Sequence, residues 1–226
     1  MKTPIRTFAA LAALALGSNT FALGLGDLPG GDKDKGAATT SVDDVAGRQE
    51  SLVKRYVSAA THINDAQLQM SQALGLKQQE ASLQDAATVL GSGAVLDKDA
   101  IKKVSATSQE ADAAISERLE AGEVLSTESK QMLAQSLVPF GMGLNETKNL
   151  ANEFKPFMQS ATTAIKDAPM TQKLQAKSKL AAGLYVAKNT PGLLSDLIGT
   201  SQQLMGYMQS QNVKVPDEAS DALGEL

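Results

Sequence analysis

The sequence predicts an all-α protein, an elongated antiparallel helical bundle whose long helices carry a heptad pattern typical of coiled-coil packing. Three observations favour this class. No segment sustains the alternation of apolar and polar residues that marks a β-strand. Trp is absent and aromatic residues make up 4% of the chain, which disfavours a sheet. Apolar residues recur in steps of three and four along much of the sequence, as on one face of a helix.

The first 22 residues have the layout of a secretory signal peptide. Lys2 and Arg6 give a positive start, residues 8–16 are apolar and uncharged, and residues 20–22 offer a cleavage site after Ala22. The apolar part is shorter than the roughly 20 residues that span a bilayer. We therefore expect cleavage and a periplasmic or secreted protein of bacterial type, with no stable transmembrane segment.

The rest of the chain divides into three predicted parts. Residues 23–40 are rich in Gly and lack periodicity, so we expect a flexible tether. Residues 41–212 carry the helical patterns and form the expected bundle domain. Residues 213–226 read as an acidic tail. Because the chain has no Cys, disulfides cannot stabilise the domain, and its stability must come from apolar burial.

The first predicted helix follows Ser41 and ends near Gly75. One face of it is apolar or small, apart from Gln49 and Gln67. Glycine is favoured just past a helix end because it adopts the left-handed backbone conformation without strain. A second, shorter helix is expected over residues 77–90.

Two capping positions place the next helices. Asp97 is a suitable N-cap for a third helix, which ends at Gly122. Ser126 or Thr127 caps a fourth, whose stripe alternates steps of four and three without an error. The stripe consists of Leu133, Leu137, Phe140, Leu144, Thr147, Ala151, Phe154, Met158, Ala161, Ile165 and Ala168. Such a repeat favours shallow, left-handed helix crossing.

Pro139 lies inside that fourth pattern and predicts a kink or a short break. A proline within a helix removes one backbone hydrogen bond and clashes with the preceding turn, at a cost of about 3 kcal/mol. Two nearby glycines make close packing harder to maintain. The candidate ligand site or kink region comprises Pro139, Phe140, Gly141, Met142 and Gly143.

Two more helices are expected towards the C-terminus. One spans residues 171–188. The second begins at Thr190–Pro191, because a capping residue followed by Pro is a favoured helix start. It ends before Pro216.

Charge and residue types exclude several classes of function. The net charge is −4, and cleavage would remove Lys2 and Arg6, so a general nucleic-acid binder is disfavoured. His62 is the single histidine and lies on a largely polar helix face. With one His and no Cys, zinc sites of the usual type cannot form. We expect no catalytic residues, no cofactor and no metal.

One basic cluster stands out in this acidic chain. Lys166, Lys173 and Lys177 share a face if their helix is continuous. A solvated surface is one interpretation, and docking to an anionic lipid or an acidic partner is the other. The acidic residues Asp217, Glu218, Asp221 and Glu225 could also fold back onto these lysines.

These patterns favour an exported, non-enzymatic bundle that acts by protein–protein interaction, with another protein or with itself, in the periplasm or cell envelope. The alternative is a carrier of a lipid or a small apolar ligand, with a cavity near Pro139. The motifs indicate no particular family.

Overall fold

The computed structural model describes residues 41–224, in which helices are joined by short turns. The predicted all-α class is confirmed, since these residues contain seven α-helices and no strand. The signal peptide and tether predicted for residues 1–40 lie outside the described residues. The helices are α1 (Val42–Ala73), α2 (Lys77–Leu90), α3 (Lys98–Glu120), α4 (Thr127–Asp167), α5 (Lys173–Lys179), α6 (Ala181–Ser210) and α7 (Asp217–Gly224).

Residues that favour helix ends mark the boundaries of the first helices, as predicted. Ser41 forms a capping box with Asp44 at the start of α1, and its hydroxyl accepts from the Asp44 amide at 3.1 Å. Asp97 caps α3 with its side chain. Gly75 and Gly122 end α1 and α3 with φ angles of 70° and 66°, which are strained for residues with a side chain.

The helix directions follow from side-chain contacts between them. These contacts are Arg55–Glu153 and His62–Glu146 between α1 and α4, and Ser116–Thr200 and Glu120–Gln203 between α3 and α6. Residue numbers run in opposite directions along α1 and α4, so that pair is antiparallel, as expected. Residue numbers rise in the same direction along α3 and α6, so that pair is parallel. The chain returns along α4, which lies between α3 and α6 in the sequence.

Buried apolar side chains form two clusters along the bundle. Leu52 and Phe157 belong to the cluster that joins the start of α1 to the end of α4. Met70 and Leu204 belong to the cluster at the other end of α1. Gln67 is fully buried, and its hydrogen bonds make this burial tolerable: its amide donates to the Ser108 carbonyl at 3.0 Å and accepts from the Ser108 hydroxyl at 2.9 Å. The polar residue in the apolar stripe of α1 therefore links α1 to α3.

Helix α4 continues through Pro139 and Pro156, so the break expected at Pro139 is absent. The first half of its predicted stripe is buried, namely Leu133, Leu137, Phe140, Leu144 and Thr147. In the second half the buried residues are Leu150, Phe154, Phe157, Ala161 and Ala164. The predicted residues Ala151, Met158 and Ile165 are only half-buried. The buried face shifts because the neighbours of α4 change along its length, from α7 to α5.

The break between α5 and α6 falls at Leu180, so the helix start predicted at 190–191 is wrong. In a continuous helix the Gly183 amide would bond the Lys179 carbonyl. Here the side chain of Gln49 hydrogen-bonds to both groups instead. Its Oε1 accepts from the Gly183 amide and its Nε2 donates to the Lys179 carbonyl, each at 2.9 Å. A side chain inserted into the hydrogen-bond ladder interrupts a helix. The proline at 191 is exposed and lies inside α6.

The segment predicted as an acidic tail contains a helix. α7 packs on α4, and its Ala219 is fully buried in the cluster that holds Leu133 and Leu204. This position is at the start of α4, whereas Lys166 is at its end. The acidic side chains of α7 therefore do not fold back onto the lysines.

Candidate functional site

Three polar pairs cross the exposed side of the seam between α1 and α4. Each helix supplies residues seven positions apart: Arg48, Arg55 and His62 from α1, and Ser160, Glu153 and Glu146 from α4. The Arg48 guanidinium donates to the Ser160 hydroxyl at 3.2 Å and Arg55 pairs with Glu153. The third pair joins His62 Nε2 and Glu146 Oε1 at 3.6 Å. We call these six residues the polar ladder.

Two depressions open along the polar ladder and together form what we call the α1–α4 groove. The larger has a volume of about 260 Å³, and the nearly buried side chains of Leu52 and Phe157 lie at its base. The smaller, of about 200 Å³, lies between Ser58 and Asn149. The larger depression thus has apolar side chains at its base and the charged residues Arg48 and Glu153 at its rim.

Pro156 leaves one carbonyl of α4 without its usual partner beside the larger depression. Both Pro156 and Asn152 line it. The helix pattern pairs the carbonyl of residue 152 with the amide of residue 156, and proline has no amide. The Asn152 carbonyl therefore has no helical donor four residues later.

The predicted Pro139–Gly143 region forms a close helix contact. Phe140 and Gly143 are buried, and Met142 is 45% exposed. A Cβ atom at position 143 would lie 2.6 Å from Ile63 Cγ1 and 2.9 Å from the Ala59 carbonyl, so α4 approaches α1 too closely for any side chain. None of the residues from 139 to 143 lines the α1–α4 groove.

A second groove, of about 310 Å³, lies between α3 and α6; we call it the α3–α6 groove. Tyr56 lines it, and its hydroxyl shares a hydrogen bond of 2.7 Å with that of Ser105. Burial raises the pKa of Tyr56 to about 12, against the opposing effect of the Ser105 hydrogen bond. The phenol is therefore neutral near pH 7 and is no base. Lys188 and Asp196 add one charge of each sign.

Asp112 is a buried carboxylate on α3. It is 6% exposed, and its Oδ1 has no hydrogen-bond partner among the described residues. Burial raises the pKa of Asp112 and outweighs a hydrogen bond from Thr200, which lowers it; the charge of Asp196 raises it further. The residues that interact here, Asp112, Thr200 and Asp196, include no His or Cys to activate a nucleophile.

The three predicted lysines flank the turn between α4 and α5. A continuous helix, the condition for their shared face, is not present, because α4 ends at Asp167 and α5 begins at Lys173. Lys166 lies in the last turn of α4. Two apolar residues near these lysines in the chain, Met170 and Leu174, are 82% and 81% exposed, which the sequence pattern did not predict. We call Lys166, Met170, Lys173, Leu174 and Lys177 the basic tip.

The possible metal ligands within residues 41–224 do not form a cluster. His62 Nε2 lies 3.6 Å from Glu146 Oε1 across the seam. No group of three or more His, Cys, Asp or Glu side chains in this range is placed to hold a metal ion. The helices of the same range are too short or too polar to cross a membrane.

The fold and its surfaces thus define a helical bundle with two open grooves and a basic tip. Comparison of the chain with protein-family models, with curated proteins and with solved structures finds no match.

Proposed function

We propose that this protein is an exported, non-enzymatic helical bundle that binds a helical segment of another protein, or of a second copy, along the α1–α4 groove. The site of action would be the periplasm or the cell envelope. The observation that carries the proposal is the groove itself: two antiparallel helices leave one side of their seam uncovered beside the polar ladder.

The chemistry of the groove suits a helix better than a small solute. A helix laid in a groove contributes apolar side chains at steps of three and four, which fit a seam between two long helices. The exposed ring of Pro156, above the nearly buried Leu52 and Phe157, offers the apolar contact. Arg48 and Glu153, at the rim, would fix the register of a partner that carries both signs of charge.

Site-specific photo-crosslinking in the native host tests this function. A photoreactive amino acid would replace Ser51 or Asn152, which are exposed and line the groove. The matched control is Lys103, an exposed position on α3. We expect one discrete adduct from both groove positions and none from the control, with mass spectrometry distinguishing another protein from a second copy. Equal labelling at all three positions, or none, would contradict the proposal.

The export step has a separate test. The layout of residues 1–22 favours cleavage after Ala22. Intact mass of the protein purified from its host should correspond to a chain that begins at or near Leu23. A chain that retains Met1 would contradict export by this route.

A second candidate function is the transport of a small ligand, and the α3–α6 groove favours it. Beneath this groove, a cavity of about 10 Å³ shares Tyr56, Thr190 and Leu193 with it. Gly192 lines the groove with open space where a side chain would begin, so Gly192→Leu should fill it without a clash. Gly206→Leu is the matched control. A co-purified molecule lost only from Gly192→Leu in native mass spectrometry would support the carrier.

A further inference from the structure

The basic tip exposes two apolar side chains that the fold does not use. Met170 and Leu174 are 82% and 81% exposed. α5 packs into the bundle through Ala176, and the chain after it through Leu180, both of which are buried. Leu174 therefore projects away from the contacts that hold α5 in place. Two large exposed apolar residues four positions apart, with lysines between and beside them in the chain, form a candidate interaction site.

The chain segment that carries this apolar pair is basic, and Asp43 at the start of α1 is the acidic residue that lines a pocket with Gln172 and Gln175. Residues 154–195 contain six Lys and a single acidic residue, Asp167, in a chain whose net charge is −4. Lys179 is engaged by Asp43, at 2.6 Å. The ion pairs of the described residues include neither Lys166, Lys173 nor Lys177. Their charges are thus available to an external anion.

The opposite end of the bundle carries the other sign. Residues 117–128, around the turn between α3 and α4, contain four acidic residues and one Arg. α7 adds Asp217, Glu218 and Asp221 near the start of α4. A negatively charged surface would attract the basic tip and repel this end, so the charge distribution selects one orientation.

We propose that the basic tip docks on the surface of an anionic phospholipid bilayer. Met170 and Leu174 enter the interface between headgroups and acyl chains, while the ammonium groups of the lysines contact lipid phosphates. Lysine suits this position because its long apolar stem lies along the lipid surface with the charge in water. This contact is separate from the α1–α4 groove, and either can hold without the other.

Vesicle co-sedimentation tests the proposal with residues 23–226, which retain every described helix. The probes are vesicles of phosphatidylcholine mixed with phosphatidylglycerol, and vesicles of phosphatidylcholine alone. We expect binding to the mixed vesicles only, weakening as salt rises. Equal binding to both, or binding to neither, overturns the proposal and would leave an acidic protein as the partner of this surface.

Two paired variants separate the charges from the apolar residues. Lys173→Gln with Lys177→Gln should weaken binding about 25-fold, at roughly fivefold per lysine near a charged surface. Met170→Ser with Leu174→Ser should weaken it at least about tenfold, because apolar insertion is lost. The matched controls are Lys102→Gln with Lys103→Gln, and Val124→Ser, which is 83% exposed in the turn between α3 and α4.

The controls should bind like the unchanged chain, and circular dichroism should show equal helix content in all variants. A loss as large in the controls as in the tip variants overturns the assignment of the tip. Unchanged binding by the Met170→Ser, Leu174→Ser variant overturns insertion of the apolar pair.

Discussion

The side-chain oxygen of Gln49 accepts a hydrogen bond from the backbone amide of Gly183 at 2.9 Å, and this contact sets where α5 ends and α6 begins. The approach requires glycine: a Cβ atom at position 183 would lie 2.7 Å from Gln49 Cγ and 2.6 Å from Phe157 Cζ. Gln49 and Gly183, which are 134 positions apart in the chain, thus fix the junction between the consecutive helices α5 and α6.

Replacing Gln49 with Met should destabilise the fold by about 1–3 kcal/mol, because the partly buried Gly183 amide and the Lys179 carbonyl lose their partners. Met keeps nearly the same length and volume without the amide. Equilibrium urea unfolding measures the difference. Gln78→Met, at an exposed position on α2, should change stability by less than about 0.5 kcal/mol. Equal stability of both variants would show that residues 179–183 re-form a helical bond at no cost.

Gly143→Ala should destabilise by at least about 1–3 kcal/mol, since the added methyl meets the Ala59 carbonyl and Ile63 in a closely packed contact. Gly199→Ala provides the contrast. It lies within α6 with open space around it, and Ala is the better helix former by up to about 1 kcal/mol. Thermal unfolding should therefore shift in opposite directions for the two variants. A stabilising Gly143→Ala would contradict the tight α1–α4 contact.

The sequence predicts those parts of the fold that depend on neighbouring residues. Ser41, Asp97 and Gly122 act through amides and dihedral angles within one turn, so their positions mark helix ends reliably. The α5–α6 boundary depends instead on Gln49, more than one hundred residues away. The local sequence Thr190–Pro191 is the same whether a helix begins there or the proline lies inside a longer helix. The local pattern therefore cannot distinguish these two possibilities.

The candidate surfaces were less predictable than the helices. The spacing of Arg48, Arg55 and His62 is visible in the sequence, but it becomes a ladder only once α4 is known to lie antiparallel beside α1. The lysines of the basic tip were identified from composition. The exposure of Met170 and Leu174 was not, because an apolar residue in a helical pattern is expected to be buried.

Asp112→Asn should stabilise the protein at neutral pH, with the advantage disappearing at about pH 3. Burial raises the pKa of Asp112 above its ordinary value of 3.8. The native state therefore retains the proton to higher pH than the unfolded chain does. Protonated Asp112 contributes its full stability to the fold below pH 3.8. This contribution is lost as the pH rises through the raised native pKa.

Urea unfolding of both proteins across this pH range provides the measurement. Thr200→Val is a useful companion, since it removes a hydrogen bond that favours the charged form and should raise the pKa of Asp112 further. A stability difference between Asp112→Asn and the unchanged chain that does not vary with pH would contradict the assignment.

The two prolines of α4 distinguish the α1–α4 groove from the region first indicated by the sequence. Pro139→Ala and Pro156→Ala each restore a backbone donor within a continuous helix, to the carbonyls of Gln135 and Asn152. Both changes should raise the midpoint of thermal unfolding, because each removes the cost of an interrupted hydrogen-bond ladder. Stability alone therefore does not separate their roles, and a binding measurement is required.

Photo-crosslinking from position 51 provides that measurement. Pro156 lines the groove, and its replacement by Ala removes the apolar ring from the larger depression and returns the Asn152 carbonyl to the helix. We therefore expect Pro156→Ala to lower the adduct yield severalfold, while Pro139→Ala, which lies outside the groove, leaves the yield unchanged. The reverse pattern would assign binding to the Pro139–Gly143 region and contradict the groove. An equal loss of adduct yield in both variants would indicate that binding depends on the curvature of α4 as a whole, since a proline bends a helix at any interior position.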